Sequence, residues 1–213
     1  MSLFVKLQYL VRPTPAHGLL GPMLEQFARW EWALTRRPPA PGSVKLLELR
    51  RYAQEYQLPV LVETGTFLGD TVQALHGQFR EIHTIELAPA LAERARLRFA
   101  ALPHIHVHEG DSGQLLPALA RSLAEPALFW LDGHYSGGQT ARADQDTPVR
   151  AELQSLLTSR SQADVILIDD ARLFGTDPAY PSLAEVAETV RTHGAGRTHS
   201  VQDDIIRIVP RRV

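Results

Sequence analysis

The sequence predicts an α/β, doubly wound fold in which a mostly parallel sheet is covered by helices on both faces. Three observations carry that prediction. Short apolar runs at residues 60–62, 128–131 and 165–168 lack polar alternation, as expected of strands buried on both sides. Amphipathic stretches with helical spacing separate them, and such alternation implies crossovers onto a parallel sheet. An acidic residue closes each of five successive strands: Glu63, Glu86, Asp111, Asp132, and Asp169 with Asp170. In sheets of this kind the ligand crevice lies beyond the carboxyl ends of the strands, so the acidic row marks where chemistry is expected.

Residues 1–58 precede the sheet as a helical extension, and residues 59–213 form the sheet domain. Pro22 suits a first helical turn, and Met23, Phe27, Trp30 and Leu34 recur on one face. That stripe is expected to pack on the core; a substrate cover or a homodimer contact are its alternative uses. RRPPAPG at 36–42 ends the helix as a stiff connector. Ser43 can cap a second helix, on which Leu46, Leu49, Ala53 and Tyr56 share a stripe. Strands are expected at 60–63, 81–86, 105–108, 128–131 and 165–168. The intervening helices start near Gly69, at Pro89, at a Ser112 cap and after Pro148. Leu91, Ala95 and Phe99, then Leu115, Leu119 and Leu123, then Val149, Leu153 and Leu156 face inward. Ser182 with Glu185 forms a capping box, and 197–201 with 205–209 around Asp203-Asp204 reads as a pair of strands.

Composition narrows the function. With 213 residues, 44% of them hydrophobic and 22% charged, the chain can bury a sizeable core. A net charge of -2 gives no general attraction to nucleic acid or an anionic membrane. The absence of cysteine excludes disulfides, thiolate metal sites and cysteine nucleophiles. The N-terminal apolar run is too short for a signal peptide and no stretch is long enough to span a bilayer. A cytoplasmic protein acting on a small molecule is the expectation.

The segment VLVETGTFLGDTVQAL at 60–75 is a strand, a glycine turn and a helix start, an arrangement that holds nucleotide-like ligands. Two residues select the ligand. Phe67 stands where a dinucleotide fingerprint needs its second glycine, and Glu63 adds a carboxylate that repels phosphate but suits an ammonium. S-adenosylmethionine (SAM), with an ammonium, a sulfonium, a ribose and no phosphate, fits both. Glu63, Thr64, Gly65, Thr66 and Gly69 are therefore cofactor-binding candidates. Glu86 follows 23 residues after Glu63 and can accept both ribose hydroxyls. Asp111 can bind the adenine amino group or favour a helix N-terminus, and Ser112 beside it can contact the ligand or cap that helix.

Asp132, Asp169 and Asp170 close neighbouring strands, and crowded carboxylates need a proton or a cation between them. Mg²⁺ with these three ligands would orient and acidify a substrate hydroxyl. The alternative is that one aspartate caps the next loop and another pairs with Arg172. The loop 133–147 is long and glycine-rich, as lids are; at its base His134 is the candidate general base beside Asp132. His104, His106 and His108 share one face of a strand, away from the carboxyl edge, and read as edge-strand histidines rather than a metal site.

Taken together, these residues resemble the class I SAM-dependent methyltransferases over about residues 59–209. VETGTFLGDT is similar to the Glu-x-Gly-Thr-x-x-Gly-x-Ser/Thr form of the metal-dependent O-methyltransferases of the catechol and caffeoyl-coenzyme A type. The macrocin-type sugar O-methyltransferases are also similar at the two aspartate-bearing strand ends. The resemblance implies a seven-stranded Rossmann-like sheet whose last strand is antiparallel. It also implies that Glu63, Gly65 and Gly69 hold the methionine end of SAM, Glu86 the ribose, and Asp132, Asp169 and Asp170 the metal. The catechol-type lysine that follows the strand-4 aspartate has no counterpart, since Tyr135 stands there and the only lysines, Lys6 and Lys45, precede the sheet. The implied activity is methyl transfer to a hydroxyl oxygen. A metal-independent methyltransferase, a non-catalytic SAM- or nucleotide-binding protein and, with Phe67 against it, an NAD-dependent oxidoreductase are the alternatives.

Overall fold

The computed structural model describes residue 7 and residues 17–133, 148–160 and 163–211. Helix α1 (His17–Thr35) and helix α2 (Gly42–Glu55) lead into β1 (Val60–Thr64), α3 (Asp70–Leu75), β2 (Glu81–Glu86) and α4 (Pro89–Phe99). There follow β3 (Ile105–Glu109), α5 (Ser112–Ser122), β4 (Ala127–Leu131), α6 (Val149–Ser159) and β5 (Val165–Ile168). The chain ends with α7 (Leu183–His193), β6 (Arg197–Gln202) and β7 (Ile205–Pro210). The sheet has seven strands in the order β3-β2-β1-β4-β5-β7-β6. Strands β1 to β5 are parallel, and β7 runs antiparallel to both β5 and β6.

Every residue of β1, β4 and β5 is buried, as the unbroken apolar runs predict. Two cores result. Val60, Val62, Phe129, Leu131, Ile166 and Ile168 pack under α5, α6 and α7 on one face. Leu61, Ile82, Leu128, Trp130 and Leu167 pack on the other, under α2, α3 and α4. Helix α2 supplies Leu49, Tyr52 and Ala53 to that second core, so it belongs to the sheet's own packing. The buried Arg207 of β7 donates to Glu48 of α2 at 2.8 Å, which ties the helix to β7.

Several local expectations change. Met23, Phe27, Trp30 and Leu34 are exposed, and α1 buries Ala28 and Trp32 instead, the latter donating its indole N–H to Asp203 at 3.3 Å. Ser43 caps nothing: Pro41 is the N-cap of α2, and the Ser43 hydroxyl is buried without a partner. The cap of α5 is Asp111, whose Oδ1 accepts from Gly113 N at 2.8 Å, while Ser112 lies inside the first turn. The capping box of Ser182 and Glu185 is formed. The hairpin turns through Asp203 and Asp204, both at positive φ, as two-residue turns between twisted strands require. Among the described residues, no helix is long and apolar enough to cross a membrane.

Candidate functional site

The strand order places the acidic row in space. Crossovers run from β1 outward to β2 and β3, then return to β4 and β5 on the other side, so the switch point lies between β1 and β4. Along the carboxyl edge stand, in spatial order, Asp111, Glu86, Glu63, Asp132 and the pair Asp169-Asp170.

At the centre, Gly65 leaves β1 with φ +85°, and a Cβ on it would lie 2.5 Å from the Asp132 carbonyl oxygen. Only glycine lets the β1 and β4 ends approach this closely. Gly133 meets the same constraint from the opposite side: its N–H donates to the Thr64 hydroxyl at 3.2 Å, and a Cβ there would crowd that oxygen. Gly69 takes φ +77° as the N-cap of α3. Phe67, the residue that argued against a dinucleotide, adopts φ +48°, a conformation glycine takes far more easily. Its backbone N–H donates to Glu86 Oε2 at 2.7 Å.

Glu63 is almost fully buried and accepts from the Thr84 hydroxyl at 2.7 Å, which in turn lies 2.6 Å from the Thr66 hydroxyl. Burial, with Glu86 adding repulsion, pushes Glu63 up to about 7 despite hydrogen bonds from Thr84 and Thr71. The site thus holds a carboxylate that gains from a cationic partner. Glu86 accepts from Phe67 N and, at 2.9 Å, from Ala88 N, one bond on each oxygen. Each oxygen keeps a further lone pair for a hydroxyl. Thr64 and Thr66 are buried, and their hydroxyls are engaged within the protein.

Asp132, Asp169 and Asp170 lie near one another at the sheet edge but do not bring three ligand atoms within 4.8 Å of each other, and a lysine comes with them. Lys45 reaches from α2 to Asp169 in a close ion pair and stands 3.6 Å from Asp170. Burial alone would lower the Lys45 pKa; Asp169, Asp132 and Asp170 outweigh it and hold the ammonium charged. Asp170, at φ +57°, also accepts from Arg172 at 2.7 Å, and Arg172 pairs with Asp204. Asp169 Oδ1 accepts from Asp170 N at 2.7 Å. The alternative raised for these residues, a loop cap and an Arg172 pair, is therefore realised. Burial and then Asp169 push Asp132 well above the carboxylate range; burial also raises Asp169, against the pull of Lys45.

This donor set does not fit a divalent cation as it stands. Lys45 and Arg172 already supply the positive charge that three crowded carboxylates need. Among the described residues, the one trio of His, Asp and Glu ligand atoms lying within 4.8 Å of one another is elsewhere, at Glu81, His83 and His106. His134 and Tyr135 lie outside the described residues, so the candidate base has no geometry to report.

Three residues of the rim escaped sequence reasoning. Lys45 lies in a helix ahead of the sheet, and its signal is scarcity, as one of two lysines in an arginine-rich chain. Thr84 faces Glu63 across the β1–β2 pairing, a relation that needs the register. Glu152 of α6 is fully buried with both carboxyl oxygens unpartnered, near the Ser112 and Thr64 hydroxyls, and burial pushes it up to about 7. Its place in an apolar helical stripe gave no warning.

No family model matches the sequence, and no curated protein matches it. Solved structures do share its fold. The SAH-bound methyltransferase PaMTH1 of Podospora anserina superposes with a TM-score of 0.56 at 17% identity, covering 88% of each chain. The O-methyltransferase TomG of Streptomyces achromogenes, in complex with SAM, gives 0.54 at 19% identity over 99% of this chain and 90% of its own. An O-methyltransferase of Bacillus cereus in complex with SAH gives 0.55 at 16% identity, covering 87% and 90%. At these identities the likeness is one of fold.

Proposed function

We propose that this chain, which has the fold of these methyltransferases, transfers a methyl group from SAM to a hydroxyl oxygen of a small molecule, without needing a bound divalent cation. The observation that carries the proposal is the pair Glu63 and Glu86 beside the glycine turn that leaves β1. The donor set fits SAM: a buried carboxylate for the ammonium and a second with spare lone pairs for the ribose. SAM supplies a methyl carbon made electrophilic by its sulfonium.

The chain's own residues do the rest. Glu63, held by Thr84, takes the ammonium, and Glu86 takes the ribose hydroxyls while holding the Phe67 turn in place. Acceptor oxygen and methyl carbon are thereby set in line, which accounts for most of the rate gain. A carboxylate at the β4 end would take the proton that the acceptor hydroxyl gives up. Asp132, whose affinity for a proton is raised by burial and then by Asp169, suits that task better than an ordinary aspartate. The Lys45 ammonium offsets the negative charge that develops on the acceptor oxygen, the service a divalent ion would otherwise provide.

The test is calorimetric binding of S-adenosylhomocysteine, followed by methyl transfer from labelled SAM to a panel of phenols and sugar alcohols, with EDTA and with Mg²⁺. Binding together with transfer that survives EDTA supports the proposal. Binding of NAD in place of S-adenosylhomocysteine overturns it. Transfer that requires Mg²⁺ overturns the role given to Lys45. Lys45→Met should lower kcat and leave the affinity for S-adenosylhomocysteine within a few-fold.

A further inference from the structure

We propose that the β2–β3 edge of the sheet carries a transition-metal site, formed by Glu81, His83 and His106 and suited to Zn²⁺. It stands in the amino-terminal part of these strands, away from the acidic rim at their carboxyl ends, and is independent of the methyl-transfer proposal.

The strand register assembles it. His83 pairs with His106 across the parallel β2–β3 ladder, and Glu81 lies two residues before His83, so the period of two sets all three on one face. β3 is the edge strand, and His106 is exposed there while His83 is buried. Sequence periodicity put His106 with His104 and His108; pairing with β2 replaces that trio by one with two imidazoles and a carboxylate. His104 turns away to the His76 carbonyl, at 3.1 Å.

The distances suit an ion. Glu81 Oε1 lies 3.0 Å from His83 Nε2 and 3.5 Å from His106 Nε2. A tetrahedral zinc with bonds of about 2.0–2.1 Å holds its ligand atoms about 3.3 Å apart. The His83 and His106 rings stack with centroids 4.9 Å apart, so a tilt of the exposed His106 ring completes the trio. Behind them, His83 Nδ1 lies 3.0 Å from His108 Nε2, the kind of second contact that orients a metal-binding imidazole. The local arginines are engaged elsewhere, Arg80 with Glu125 and Arg96 with Glu109.

Two nitrogens and one oxygen with an open fourth position select zinc or its neighbours over Mg²⁺, which asks for oxygen ligands. Without metal, an imidazole N–H of His83 directed at Glu81 would hold the array together; on metal binding the single ring proton of the neutral imidazole moves to Nδ1, which faces His108, and Nε2 is freed to ligate. The ion would tie the edge strand to its neighbour.

The experiment uses the untagged full chain, stripped of metal, titrated with Zn²⁺ against a chromophoric chelator and followed in parallel by thermal unfolding. One equivalent of Zn²⁺ that raises the melting temperature, with Mg²⁺ ineffective, is expected. His106→Asn, at an exposed position, should abolish both effects and leave S-adenosylhomocysteine binding unchanged. His108→Phe should weaken zinc by about tenfold. Zinc binding that is unchanged in His106→Asn and Glu81→Gln, or no zinc retained by the wild type, overturns the proposal.

Discussion

Replacing Glu63 by glutamine should stabilise the empty protein and disable it. The carboxyl is buried, and burial raises its pKa from 4.5 to about 7. An acid whose folded pKa is raised stabilises the fold fully below its unfolded pKa, and that contribution is lost as pH climbs through the folded one. Between about pH 4.5 and 7, then, the folded chain binds more protons than the unfolded chain, and stability falls as pH rises. At about 1.4 kcal/mol per unit, the penalty at pH 8 has an upper bound of about 3 kcal/mol. Glutamine is neutral at every pH and keeps an oxygen to accept from Thr84. Glu63→Gln should therefore come close to wild type at pH 5 and exceed it at pH 8 by up to about 3 kcal/mol, or roughly 6–12 °C in a chain of this size. If Glu63 holds the SAM ammonium as proposed, the variant removes its charged partner, which should cost about 1.5–3 kcal/mol and weaken SAM by roughly 10- to 100-fold. Urea unfolding at the two pH values and SAM titration at pH 8 measure both effects. A variant no more stable than wild type at pH 8, or one that binds SAM unimpaired, refutes the reasoning.

Three further outcomes follow from the same geometry. Glu152→Gln should also raise stability at pH 8 and leave it unchanged at pH 5, because burial pushes that unpartnered carboxyl to about 7 as well; urea unfolding checks it. Gly65→Ala should lose S-adenosylhomocysteine binding in calorimetry and lower the melting temperature. It costs about 1–2 kcal/mol for the left-handed backbone and must also displace the Asp132 carbonyl, whose oxygen would lie only 2.5 Å from the new Cβ. Ser182→Ala should cost about 1 kcal/mol through the lost cap of α7 and leave methyl transfer untouched, as thermal unfolding and a turnover assay will report.

What the sequence determined by itself was the frame. Unbroken apolar runs of about four residues between turn signals are too short for buried helices and read as strands covered on both faces, so β1, β4 and β5 were legible, as were the Pro89 helix start and the Ser182 capping box. The acidic strand ends were legible because a carboxylate that ends a buried strand must sit at a sheet edge. Helix faces were less so. The Met23–Trp30 spacing is that of a buried stripe, yet the exposed face of a helix can carry the same spacing, and only the packing partner decides which is which. The cap of α5 moved from Ser112 to its neighbour Asp111 because both side chains can accept from the same turn.

Tertiary structure alone decided what lies between the carboxylates. Asp132, Asp169 and Asp170 demanded a cation, and sequence patterns could name a metal because metals are what such residues bind in isolation. The cation that meets them is Lys45, brought from more than a hundred residues away by the packing of α2 on the sheet. The edge histidines follow the same logic: period two aligned His106 with its own strand, but the β2–β3 register chose His83 and Glu81 as its companions. Local chemistry is written along the chain; charge neutralisation and ligand grouping depend on which distant strands and helices come into contact.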